Sequence, residues 1–185
     1  MVQTSPVIST PSDYKASPYT VRVSERSYLY RGRILNLALE NGRFEVVEHA
    51  PAVTILAKRG GKLCFVRQYR PAVGAKTLEL PAGLVEPGEE PVEAAKRELA
   101  EEAGLTGNFE HLVSFYTSPG FCNELSILYL ARDLSPASAK PDDDEELTVE
   151  WQTAKDMLEK VKLGLEVTSG STMSGLLWYL NHAAD

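Results

Sequence analysis

The sequence predicts an α/β (α+β) sandwich: a mixed sheet packed with helices, preceded by a small N-terminal β lobe. Two observations carry this reading. Short apolar runs bounded by Gly and Pro turns alternate with segments of helical periodicity, and the spacing between them is too uneven for a doubly wound parallel sheet. In order, residues 1–18 are polar and Pro/Ser-rich and read as a disordered, solvated tail. Residues 19–49 form the lobe, with apolar/polar alternation on both sides of Glu40-Asn41-Gly42-Arg43, a strong hairpin signal. Residues 50–185 form the main domain. It opens with apolar strands at 52–57 and 63–67, joined by the turn Lys58-Arg59-Gly60-Gly61-Lys62. A short strand at 77–80 is stopped by Pro81. From Pro91 to about Ala103 the period becomes helical, with Val92, Ala95, Leu99 and Ala103 on one stripe and Gly104 placed as the C-terminal cap. Strands at 111–117 and 125–130 flank the loop 118–124. A Pro- and Asp-rich mobile loop is expected over 135–146, then a strand at 147–152 and helices near 153–163 and 171–181.

Composition narrows the function. With 43% hydrophobic and 24% charged residues in 185, the chain supports one well-cored domain. A formal net charge of −7 leaves no global basic field for nucleic acid or anionic membrane, so neither is expected as a partner. No apolar run reaches the roughly 18 residues of a membrane span, and the N-terminus lacks the marks of a signal peptide. Cys64 and Cys122 lack CxxC spacing and are expected to be free thiols in a cytoplasmic protein. His49, His111 and His182 show no zinc-ligand spacing.

The chemistry is concentrated in Gly83-Leu84-Val85-Glu86-Pro87-Gly88-Glu89, seven further residues, and Arg97-Glu98-Leu99-Ala100-Glu101-Glu102-Ala103-Gly104-Leu105. On a helix, Glu98, Glu101 and Glu102 stand at i, i+3 and i+4, sharing one face that this reading sets opposite the apolar stripe. Crowding three carboxylates costs a few tenths of a kcal/mol per pair, and a divalent cation reverses that sign. Oxygen ligands on a rigid element suit Mg²⁺, with Mn²⁺ as substitute. A bare REXXEE run is more readily read as a solvated acidic face. The full pattern, G-x5-E-x7-R-E-(apolar)-x-E-E-x-G-(apolar), is filled at every position, and a chance match is on the order of one in a million.

This pattern is the Nudix box, and the chain resembles Nudix hydrolases over most of its length. The resemblance implies an α/β/α sandwich and two or three divalent ions. It implies metal ligands at Glu98, Glu101, Glu102 and the Ala82 carbonyl, an orienting role for Arg97, and a structural one for Glu89. The runs Arg67-Gln68-Tyr69-Arg70-Pro71, Leu78-Glu79-Leu80-Pro81-Ala82-Gly83 and Ser118-Pro119-Gly120-Phe121, with Pro119 some fifteen residues past the box glycine, are similar to the ADP-ribose pyrophosphatase subfamily. So is Glu45-Val46-Val47-Glu48-His49.

That likeness implies hydrolysis of ADP-ribose to AMP and ribose 5-phosphate by attack of metal-activated water, in a homodimer whose N-terminal lobe is swapped between subunits. Arg70 would bind the diphosphate or terminal ribose, with Glu79 beside it. Phe44, Glu45 and Tyr28 would complete the substrate pocket, with Tyr30 as a rival for stacking; the bland alternative for each ring is core packing. Arg67 belongs to the same candidate set, although its strand position suits a structural or peripheral role. Glu145 is the favoured general base, followed by Glu146 and Glu124. Sister activities on GDP-mannose, NADH or a dinucleoside polyphosphate stay open, as does a non-catalytic ADP-ribose sensor, which would be expected to lose box carboxylates.

Overall fold

A computed structural model describes residues 25–138 and 147–182. The lobe is a separate three-stranded antiparallel sheet: β1 (Arg26–Arg31), β2 (Leu35–Glu40) and β3 (Phe44–His49). The β2–β3 turn forms as the sequence suggests, with Asn41 and Gly42 both at positive φ (52° and 65°), the conformation that matches strand twist.

The main sheet begins with β4 (Ala52–Arg59) and β5 (Lys62–Arg70), joined by a tighter turn than expected. Only Gly60 and Gly61 lie outside the strands, and both have positive φ. The two strands pair only at Lys58–Leu63 and Arg59–Lys62 and then part company. β5 continues beside β6 (Ala75–Glu79) and β10 (Thr148–Gln152). β4 continues beside β7 (Ala82–Leu84) and, in parallel, β9 (Leu125–Pro136), which pairs with β8 (Leu105–Tyr116). The order is β10-β5-β4-β9-β8, so the sheet is mixed.

Helices cover both faces. α1 (Pro91–Ala103) packs Ala94, Ala95 and Leu99 onto Val53, Ile55, Ile127 and Tyr129. α2 (Ala154–Lys162) and α3 (Gly170–His182) pack Met157, Leu176 and Tyr179 onto Leu56, Phe65, Leu78 and Leu128. The central strands β4 and β9 are therefore apolar on both faces, which is why they read as unbroken hydrophobic runs. Gly104 caps α1 in the left-handed conformation (φ 64°), its N–H bonding the Ala100 carbonyl. Cys64 and Cys122 are free thiols. Among the described residues, no helix is long and apolar enough to cross a membrane.

The split between β4 and β5 positions the site. Glu79 ends β6 on the β5 side, and Ala82 begins β7 on the β4 side. Only Leu80 and Pro81 separate them, a span of at most about 11 Å. The Glu79 that Arg70 grips thereby lies a short step along the chain from β7, against which the carboxylate helix packs.

Candidate active site

α1 begins with Pro91 at N1, where its missing N–H costs nothing. Its carboxylate row is not opposite the apolar stripe, as the sequence suggests, but beside it. Glu102 accepts the Ala82 N–H at 3.0 Å, and Glu98 lies against Gly83, where a built Cβ would fall 2.0–2.3 Å from its carboxylate atoms. Both residues thus face β7, and the Glu98 side chain is only 13% exposed. Edge geometry places the Ala82 carbonyl there too. The Pro81 carbonyl accepts from Ile55 N and Val85 N donates to the Pro51 carbonyl. Odd-numbered residues of this segment therefore point their backbone groups at β4, and Ala82, next in alternation, points its N–H and C=O toward α1.

Arg97 organises the row. Its Nε and Nη2 grip both Glu89 oxygens at 3.0 Å each, and Nη2 also donates to the Leu84 carbonyl at 2.9 Å. Nη1 donates to Glu98 at 2.6 Å and to Glu101 at 3.1 Å. One guanidinium thus ties the loop, β7 and two box carboxylates together, a task for a rigid planar fork. Glu89 also accepts the Glu86 N–H at 2.9 Å, closing the loop before the helix. Arg97 above all holds the Glu89 carboxyl below the usual range; burial opposes it, and this backbone donor adds a smaller downward effect.

Across the split, Arg70 Nε and Nη2 grip Glu79 at 3.0 and 3.2 Å. Glu79 is 5% exposed. Burial pushes its carboxyl up, but Arg70, Thr77 and Ser169 outweigh it and hold the group low. Arg67 points elsewhere, into bonds with Glu150 (2.7 Å) and Glu166 (3.1 and 2.8 Å) that pin β10 and the α2–α3 connection to β5.

The loop 118–124 folds back on itself through Phe121 N and Cys122 N to the Ser118 carbonyl, and docks on β3. Val47 N donates to Phe121 O at 2.7 Å, and His49 N to Asn123 Oδ1 at 2.8 Å. Glu124 sits 3.3 Å from His49 Nδ1 at this junction. Glu45 is exposed on β3, and Phe44 and Tyr30 are 54% and 59% exposed, so neither ring is core packing. Tyr28 is half-buried, with Arg31 3.5 Å above its ring and its hydroxyl donating to Glu48 at 3.2 Å. Glu145 and Glu146 lie outside the described residues. A groove of about 650 Å³ across β10 and α2, lined by Trp151, Asp156 and Lys160 among others, contains no box residue. Here donor chemistry, not concavity, locates the site.

The donors fit a divalent ion. Among the described residues, no three acidic, histidine or cysteine side chains enclose an ion unaided. Glutamates and a carbonyl along one edge instead make an open set of hard oxygens, the kind Mg²⁺ completes with water and substrate phosphate. Cys64 is fully buried beneath the row. Burial first, and the charge of Glu102 second, push its thiol up to about 12.

Sequence reasoning missed Thr77, whose hydroxyl meets Glu79. Strand alternation held the signal, since residues two apart share a face.

The NUDIX domain model matches residues 48–168, and the chain belongs to the Nudix family. Members generally need a divalent metal. An ADP-ribose pyrophosphatase of Bacillus subtilis (strain 168) is 37% identical over 149 residues, covering 74% of this chain and 80% of the relative. A methanol dehydrogenase activator of Bacillus methanolicus is 36% identical over 146 residues, covering 72% and 79%. The crystal structure of an ADP compounds hydrolase superposes with a TM-score of 0.68 at 22% identity, covering 86% of this chain and 95% of that one, a likeness of fold.

The carboxylates that Arg97, Arg70 and Arg67 hold below their usual range tie stability to pH. Glu79, Glu89 and Glu150 all have depressed folded-state values against an ordinary 4.5. Their contribution is present above the unfolded value and is lost as pH falls through the folded ones. In metal-free buffer the urea midpoint should hold from pH 7 to about 5 and fall below that, less steeply for Glu89→Gln. A midpoint flat to pH 3 would contradict these pairings.

Proposed function

We propose that the protein is a Mg²⁺-dependent ADP-ribose diphosphatase that yields AMP and ribose 5-phosphate. The observation that carries this reading is the box row, whose Glu98 and Glu102 face β7, just past the Glu79 that Arg70 grips. An acidic protein needs local cations to accept a diphosphate, and Arg70 supplies one next to the oxygen donors that would recruit others. The ADP-ribose pyrophosphatase relative supports the choice of nucleoside diphosphate sugar. The intact row Glu98, Glu101 and Glu102 supports catalysis over a sensor.

Glu98, Glu101, Glu102 and the Ala82 carbonyl would hold two or three Mg²⁺, with Mn²⁺ able to substitute. Bound there, such ions lower the pKa of a coordinated water and neutralise charge on the leaving phosphate. Arg97 holds Glu98 and Glu101 so that neither has to reorganise during the reaction. Arg70 binds and orients the diphosphate. Glu145 is assigned as general base by the resemblance, ahead of Glu146 and of Glu124, which His49 already engages. Arg67, committed to Glu150 and Glu166, serves the scaffold, so the pocket reading passes to Arg70, Glu79 and the lobe residues Tyr28, Phe44 and Glu45. The exposed Phe44 and Tyr30 suit base stacking in a homodimer whose lobe meets the second subunit.

The test is product analysis by ion-exchange chromatography with ADP-ribose and millimolar Mg²⁺. AMP and ribose 5-phosphate in equal amounts, abolished by EDTA and restored by Mg²⁺ or Mn²⁺, are expected. Tight binding without turnover would establish the sensor reading.

A further inference from the structure

The geometry points to Thr77 as a positioning residue that sets Arg70 for the diphosphate by fixing the buried carboxylate of Glu79. This rests on the reading of Arg70 given above. β5 and β6 pair with Gln68 opposite Thr77, Arg70 opposite Ala75 and Val66 opposite Glu79. Alternation puts Arg70, Gln68, Thr77 and Glu79 on one face, with Thr77 between the two ends of the ion pair. The small Ala75 opposite Arg70 leaves room for the guanidinium to turn back along β6 toward Glu79.

The Thr77 hydroxyl has one proton and two acceptors in reach: Glu79 Oε1 at 2.6 Å and the Gln68 carbonyl at 3.4 Å. The short distance is that of a charge-assisted O–H···O⁻ bond and the long one is marginal, so the proton goes to Glu79. That same Oε1 accepts Arg70 Nε at 3.0 Å, and Oε2 accepts Nη2 at 3.2 Å. Two donors on one oxygen and one on the other, with a further contact from Ser169, fix the plane of the carboxylate, and a bidentate fork follows its partner's plane. Thr77 and Glu79 are 4% and 5% exposed, whereas the Arg70 side chain is 41% exposed. The hydroxyl therefore acts from inside on the one member of the chain that reaches solvent. α3 and the segment before it close the arrangement: Leu80 N donates to Thr172 Oγ1 at 2.9 Å, and Thr168 Oγ1 donates to the Leu78 carbonyl at 2.7 Å.

Thr77→Val keeps the shape and removes the donor, and Thr77→Ser keeps the donor. Steady-state kinetics on ADP-ribose should give a KM about tenfold higher for Thr77→Val, with kcat within about twofold, and Thr77→Ser within about twofold of wild type on both. Thermal melts establish that each variant is folded; Thr77→Ala replaces the valine variant if that one is not. Arg70→Lys, measured in parallel, separates the two ideas. A raised KM in Arg70→Lys with none in Thr77→Val overturns the role of Thr77 alone. No change in either overturns the reading of Arg70 as well. A serine variant as impaired as the valine one, or a loss confined to kcat, also overturns it.

Discussion

Replacing Glu98 with glutamine is expected to lower kcat on ADP-ribose by about 10²–10³-fold while leaving the fold intact. Glutamine has nearly the same shape, so packing against Gly83 persists, and its amide oxygen can still accept from Arg97 Nη1 at the 2.6 Å position. What disappears is one negative charge at a largely buried position beside β7. A hard divalent ion loses an anionic ligand there, and the carboxylate row no longer matches its charge. The check is kcat and KM for both proteins at saturating Mg²⁺, with melting temperatures alongside. A kcat within threefold of wild type would remove Glu98 from the chemistry.

The second large effect is expected from a residue without a side chain. Gly83→Ala should lower kcat by roughly 10–100-fold, as changes that misorient a metal ligand do. The added Cβ would stand 2.0–2.3 Å from all three carboxyl-group atoms of Glu98, far inside contact distance. Neither side can give easily. Gly83 is paired with the fully buried Val53 in the β4–β7 ladder, and Glu98 is held by Arg97. Gly88→Ala is the informative comparison. Gly88 has φ 83° but nothing within 4 Å of its built Cβ, so it should lose about 1–2 kcal/mol of stability to backbone strain and keep most of its activity. Equal kcat losses in the two variants would contradict steric displacement of Glu98 as the cause.

The residues made much of this legible before any coordinates. The Asn41-Gly42 turn, the span of α1 and its Gly104 cap depend on local chemistry, and local chemistry is written in sequence. β7 was invisible because Ala82-Gly83-Leu84 has no strand propensity. It is a strand because β4, diverging from β5, offers it an edge. β8 and β9 run well past the expected 111–117 and 125–130 because each lengthens the other's ladder, past a register shift at Gly107 that local periodicity conceals. Spacing identifies the carboxylates, but they stand beside the apolar stripe and not opposite it. Glu102 follows Leu99 by three residues and Ala95 by seven, so helical periodicity already sets it beside the buried stripe, where the Ala82 N–H meets it. Core packing was the default for Phe44 and Tyr30, and it fails because the β1–β3 sheet leaves both rings exposed. The role of Arg67 was decided by Glu150 and Glu166, each more than 80 residues away along the chain.

The central claim, that this box and this arginine serve a nucleoside diphosphate sugar, is tested most directly by kcat/KM side by side on ADP-ribose, GDP-mannose and NADH. ADP-ribose is expected ahead of the other two by at least tenfold, with Glu98→Gln lowered by about 10²–10³-fold on all three. A higher kcat/KM on GDP-mannose or NADH would contradict the assignment of substrate while leaving the carboxylate chemistry in place.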